Sequence, residues 1–85
     1  MNNIVILKML DGSELIATKN ITGSYSKVRV FHFGANGQAG LAPWVLLAPD
    51  ADLDISSNGI VAEIPAPQDI ETKYLQATSS IQLLG

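Results

Sequence analysis

Ile4-Val5-Ile6-Leu7-Lys8-Met9-Leu10, followed at once by Asp11-Gly12, is the stretch on which the fold turns. The run is apolar, rich in β-branched side chains and too short for a helix, so it reads as a strand. Asp-Gly after such a run is the strongest short hairpin signal, because a type I′ turn needs positive φ at both central residues. Ser13 to Asn20 then alternates loosely, with Leu15, Ala17 and Ile21 as candidate inward positions, and reads as the return strand. The spacing predicts strands over about 4–10 and 13–21.

Thr22-Gly23-Ser24 is a turn cluster. From Tyr25 to Phe33 the alternation is strict, with Val28, Val30 and His32 on one side and Lys27, Arg29, Phe31 and Phe33 on the other. This predicts a third strand over 25–33. Gly34 to Gly40 reads as a flexible loop. A fourth strand is expected over about 43–48, begun by a proline that strand starts tolerate. Pro49 to Asp54 is a turn carrying Asp50, Asp52 and Asp54. Asn58-Gly59 is a second hairpin signal, ahead of a fifth strand over about 59–64. Pro65-Ala66-Pro67 is a rigid break. Beyond it Ile70, Tyr74 and Leu75 sit at helical spacing, and a helix is expected over about 68–79, with Asp69 and Glu71 near its positive N-terminal end. Ser80 to Leu84 is read as an extended tail. The sum is one domain over residues 1–85, all-β dominated: a small five-stranded, strongly bent barrel of SH3-like or OB-like kind with one short C-terminal helix.

Composition says how such a domain is held together. At 85 residues the chain buries only a modest fraction of its surface. Small domains compensate with disulfides, metals or oligomerisation. There is no cysteine, and the one histidine, His32, excludes a multi-histidine zinc site within one chain. Oligomerisation remains. The chain is 47% hydrophobic and only 15% charged, whereas about a quarter of a soluble domain is usually charged. Part of that apolar surface is expected to meet further copies of the chain, and the open edges of a small sheet give it a means. Head-to-tail edge pairing closes into a ring when the rotation allows. No stretch reaches the ~18 apolar residues of a membrane span. Met1-Asn2-Asn3 has no basic n-region, so the expectation is a cytoplasmic protein without a membrane partner.

From Val5 to Val30 the pattern resembles the first motif of the Sm/LSm family: an apolar strand, Asp11-Gly12 in the hairpin, a return strand, a turn, and a third strand with Val28 and Val30 at its aliphatic positions. The resemblance covers about the first thirty residues, weakens from Gly34 to Pro49, and resumes in part at Asn58-Gly59-Ile60-Val61, where the family's second motif has an Arg-Gly turn. It implies a homo-oligomeric ring that binds single-stranded RNA, or DNA, in RNA metabolism. Very short, lightly charged variants of this kind look like phage-encoded proteins. The departures fall on the nucleic-acid side. Gly23 and Lys27 stand where the family has its aspartate and base-reading asparagine, and Asn58 replaces the arginine. Tyr25 stands at the position that stacks on a base. The family usually begins with a helix, whereas here the helix comes last.

These residues give the candidate nucleic-acid site: Tyr25, Lys27 and Arg29, with Asn58 and Gly59. An aromatic ring beside cations is how sequence-tolerant single-strand binding works, at roughly 1–3 kcal/mol per stacked base. Between Leu15 and Pro49 the chain carries no acid, while Lys19, Lys27, Arg29 and His32 fall there, so an acidic protein of net charge −3 has a relatively basic stretch. A ring repeats each cation around its axis. The competing reading is a tyrosine packed locally beside solvated charges. Trp44 and Val61 are subunit-interface candidates. Asp52 to Glu63 matches an EF-hand count at its ends, but Ser57 replaces the required glycine and no helices flank it, so no metal is expected. No catalytic motif appears, and neither an enzyme nor a cofactor is expected. The alternative function is a structural or adaptor ring, or protein-interaction module, whose nucleic-acid site is lost.

Overall fold

A computed structural model describes residues 3–34, 37 and 39–78. The fold is all-β dominated: one antiparallel sheet of five strands and one C-terminal helix. The strands are β1 (Ile4–Met9), β2 (Glu14–Lys19), β3 (Tyr25–Phe33), β4 (Ala39–Pro43) and β5 (Ile60–Pro65), and the helix is α1 (Gln68–Thr78). The order across the sheet is β4-β3-β2-β1-β5, so among the described residues β4 and β5 are its two open edges. The tail expected over Ser80–Leu84 lies outside the described residues.

Both hairpins loop over three residues, one more than a type I′ turn. Gly12 N–H donates to Met9 O at 3.0 Å and Met9 N–H to Ser13 O at 2.9 Å. The second turn repeats this, with Gly23 N–H to Asn20 O at 2.9 Å and Asn20 N–H to Ser24 O at 2.8 Å. Within these two turns only the glycines take positive φ, +92° at Gly12 and +93° at Gly23. This is a type I turn closed by a left-handed glycine, which needs that freedom at one position and not two. Asp11 reinforces the first turn: its carboxylate accepts from Ser13 N–H at 2.9 Å and from Ser13 Oγ at 2.6 Å, which holds its pKa below the usual aspartate value.

Strand β1 is apolar except at the exposed Lys8 because both of its faces are covered. Val5, Leu7 and Met9 join Leu15, Ala17, Tyr25 and Val28 in one core, closed by Leu53, Ile55 and Ile60. On the opposite face Ile4 and Ile16 pack with Tyr74 of α1, flanked by Ile6, Phe31, Leu41, Ile70 and Leu75. The sheet curls around the first core. Tyr25 on β3 and Glu63 on β5 are three strand spacings apart, about 14 Å in a flat sheet, yet their side chains meet at 2.7 Å.

Two expectations are corrected. The fourth strand spans 39–43, not 43–48. Ala39 to Pro43 pairs with Phe33 to Arg29, and Pro43, which lacks an N–H, ends the ladder rather than opening it. Gly40 belongs to this strand because it faces His32, whose Cε1 lies 2.9 Å from where a β-carbon would sit. The apolar run Val45-Leu46-Leu47 is a surface loop. Asn58-Gly59 is likewise no hairpin turn. It ends a single 3₁₀ turn, Ser57–Gly59, capped by the Ser56 hydroxyl on Asn58 N–H at 3.2 Å, and β5 then pairs with β1.

Candidate nucleic-acid and subunit interfaces

The geometry around Tyr25 is governed by one extra residue. Ile16 on β2 pairs with Arg29, and Thr18, two residues on, pairs with Ser26, three residues back. The surplus residue on β3 makes a bulge, and Lys27 takes φ +54° in it. A bulge reverses the phase of alternation. Simple alternation would put Tyr25 with Lys27 and Arg29; instead it shares a face with Val28 and is buried, 5% exposed, in the first core. Its hydroxyl donates to Glu63 Oε1 at 2.7 Å. Glu63 Oε2 accepts from Lys19 Nζ at 2.8 Å, and that ammonium lies 6.0 Å from the centre of the Tyr25 ring. The Lys19 bond, then the Tyr25 bond, hold the Glu63 carboxyl below its usual pKa, while burial first and Glu63 second push the Tyr25 phenol up. The ring therefore offers no open face to a base, and its polar end meets a carboxylate. The stacking expectation for Tyr25 is corrected on this ground.

The bulge carbonyls are satisfied from the helix. The Tyr74 hydroxyl donates to the Lys27 carbonyl oxygen at 3.0 Å and the Ser26 carbonyl oxygen at 3.3 Å, and lies 3.0 Å from Thr18 Oγ1. Tyr74 is fully buried, and burial raises its pKa. Arg29 is no free cation. It is 8% exposed, and its guanidinium donates to Pro49 O at 2.6 Å and Asp50 Oδ1 at 2.9 Å. That bond anchors the β4–β5 connection to β3. Lys8 pairs with Glu14 at 3.1 Å. Among the described residues, Lys27 and Lys73 are the cations in no ion pair. Asn58 and Gly59 sit beside the β1–β2 turn, where Leu10 N–H donates to Gly59 O at 3.0 Å. Lys27 and Tyr25 lie at the other end of β2, next to Thr18 and Lys19. Within one chain the five candidates do not form one patch.

Of the large exposed apolar side chains, Leu10 and Ile21 lie in the two hairpin turns and Phe33 ends β3, while the other five lie at the outer edges. Trp44 (40% exposed) follows β4, and Leu46 and Leu47 (99%) project from the loop beyond it. On the other edge Val61 (61%) and Ile64 are exposed on β5. Sequence reasoning missed Glu63 and Tyr74 as organisers, because their partners lie far away in the chain. It missed the Leu46–Leu47 tip because an apolar run reads as a buried strand. No cluster of metal-ligating side chains occurs among the described residues, and no helix among them is long and apolar enough to cross a membrane. Comparison with protein-family models, with curated proteins and with solved structures gives no match. The Sm/LSm resemblance accordingly rests on the residues quoted above.

Proposed function

We propose that the chain is the subunit of an Sm-like homo-oligomeric ring, in which the β4 edge of one copy pairs with the β5 edge of the next, and that the ring serves as a structural or adaptor assembly. One observation carries the reading. Among the described residues neither β4 nor β5 has a partner strand on its outer side, and five of the eight large exposed apolar side chains, Trp44, Leu46, Leu47, Val61 and Ile64, lie on or beside these edges. A monomer with such edges invites uncontrolled pairing, and closure into a ring removes the liability. The adaptor role is favoured over nucleic-acid reading because Tyr25 is buried, Arg29 and Lys19 are committed to carboxylates, and the net charge is −3.

A second reading, binding of single-stranded RNA, keeps one observation in its favour. Lys27 is exposed, unpaired and held in a fixed backbone conformation, and a ring would repeat it in a circle. Light-scattering mass at micromolar concentration tests the ring, and a monomer overturns it. Fluorescence anisotropy with uridine-rich and adenine-rich oligonucleotides separates the two roles. The adaptor reading expects no saturable binding at low salt. Binding that weakens steeply with added salt decides for RNA.

A further inference from the structure

A half-open apolar pocket lies between α1 and the β3–β4 pair. It is lined by Phe31, Gly40, Leu41, Ile70, Lys73 and Ala77 and has a volume of about 210 Å³. A cavity of about 150 Å³ already accepts a benzene-sized group, so a leucine side chain fits here. Its one charge is Lys73, exposed and without an ion-pair partner among the described residues.

Elsewhere the same chain presents the complement. Leu46 and Leu47 stand at the tip of the loop after β4, uncovered by their own chain. The tip is built and held. Trp44 N–H donates to Val28 O at 3.1 Å, Ala48 N–H to Val45 O at 3.2 Å, and Arg29 grips Pro49 and Asp50. Just beyond it, Asp52 and Asp54 are exposed and in no ion pair among the described residues. Two leucines followed by two carboxylates match an apolar pocket rimmed by an ammonium in polarity and sign.

We infer that the Leu46–Leu47 tip of one copy seats in the Phe31–Leu41–Ile70 pocket of its neighbour, with Asp52 and Asp54 facing the neighbour's Lys73. The tip and the pocket are different surfaces, so the contact is head-to-tail and gives the ring its direction. The inference rests on the ring reading and adds to it a partner surface besides the sheet edges.

The absence of cysteine makes the test clean. Two chains that differ by a terminal tag are co-expressed, one carrying Leu47→Cys and the other Ala77→Cys. Both sites are exposed, so folding is spared. Oxidation should give a disulfide between the two different chains and none between like chains. Lys73→Glu should raise the concentration for half-assembly by up to about fivefold, the range of an exposed charge pair, and Asp52→Lys with Asp54→Lys should restore it. An assembled wild-type protein with no mixed disulfide and an unaffected Lys73→Glu variant overturns the inference while the ring stands. So does saturable uptake of a fluorescent apolar anion by that assembly at this pocket, which would make it a small-molecule site. A monomeric wild-type protein overturns both readings.

Discussion

Replacing Tyr74 by phenylalanine removes one oxygen atom from a fully buried site, and the structure says what that oxygen does. It is the donor to the carbonyls of Lys27 and Ser26, at 3.0 and 3.3 Å, inside the β3 bulge. Lys27, the residue at positive φ in the bulge, has no registered partner on β2, so the ladder offers its carbonyl no replacement. A neutral hydrogen bond is worth about 1 kcal/mol net, and a buried acceptor left alone costs about 1–3 kcal/mol. Counting the shorter contact as the one that matters, Tyr74→Phe should cost about 2 kcal/mol. A small protein loses roughly 1 kcal/mol of stability per molar urea, so the unfolding midpoint should fall by about 2 M. Trp44, the single tryptophan, reports the transition by its fluorescence. Wild type and variant must be compared at one subunit concentration, since assembly stabilises the folded state by mass action. A midpoint shift below about 0.3 M at unchanged slope would refute the reasoning: the hydroxyl would not be the latch of the bulge.

Three further outcomes are expected. Glu63→Gln should lower stability at neutral pH; because the Glu63 pKa is depressed in the folded state, its contribution is present above the ordinary value of 4.5 and lost as pH falls through the depressed one, so thermal midpoints of variant and wild type should converge in acid. Asp50→Ala should cost less than about 1 kcal/mol, because that carboxylate is largely exposed, whereas Arg29→Ala should cost about 2 kcal/mol by freeing the buried end of the loop anchor; chemical denaturation measures both. Gly23→Ala, at φ +93°, should cost about 1–2 kcal/mol, while Gly40→Ala should cost under about 0.5 kcal/mol, because the atom it meets is the movable end of an exposed His32; equal losses at the two glycines would contradict the account.

What the sequence disclosed follows from where the governing contacts are. β1, β2, β5 and α1 were legible to within a residue or two because their signals are local: a β-branched run, a turn residue, a proline break, a helical spacing. β3 was legible in extent but not in phase. The bulge at Lys27 leaves no mark on the composition, and it depends on Tyr74, forty-seven residues away; one shifted residue then moved Tyr25 from a presumed binding face into the core. β4 was misplaced because glycine and proline were read for their usual meaning. Gly40 stands inside the strand opposite His32, and Val45 to Leu47 are apolar without being buried in their own chain. Two of the site candidates, Tyr25 and Arg29, were misjudged for one reason: their ring and charge were visible in the sequence, while the carboxylates that occupy them, Glu63 and Asp50, were not.

The strand count sets a rule for a flat seam between β4 of one copy and β5 of the next. Every neighbouring pair in the sheet is antiparallel, so direction alternates across five strands and the two outer ones, β4 and β5, run the same way. Copies laid edge to edge with the same face up would meet in a parallel seam. An antiparallel seam requires each copy to be turned over relative to the last, so that the helix-bearing face of one continues into the hollow face of the next. Parity alone thus ties two properties together: the polarity of the seam dictates whether successive helices stand on one side of the continued sheet or alternate between its sides.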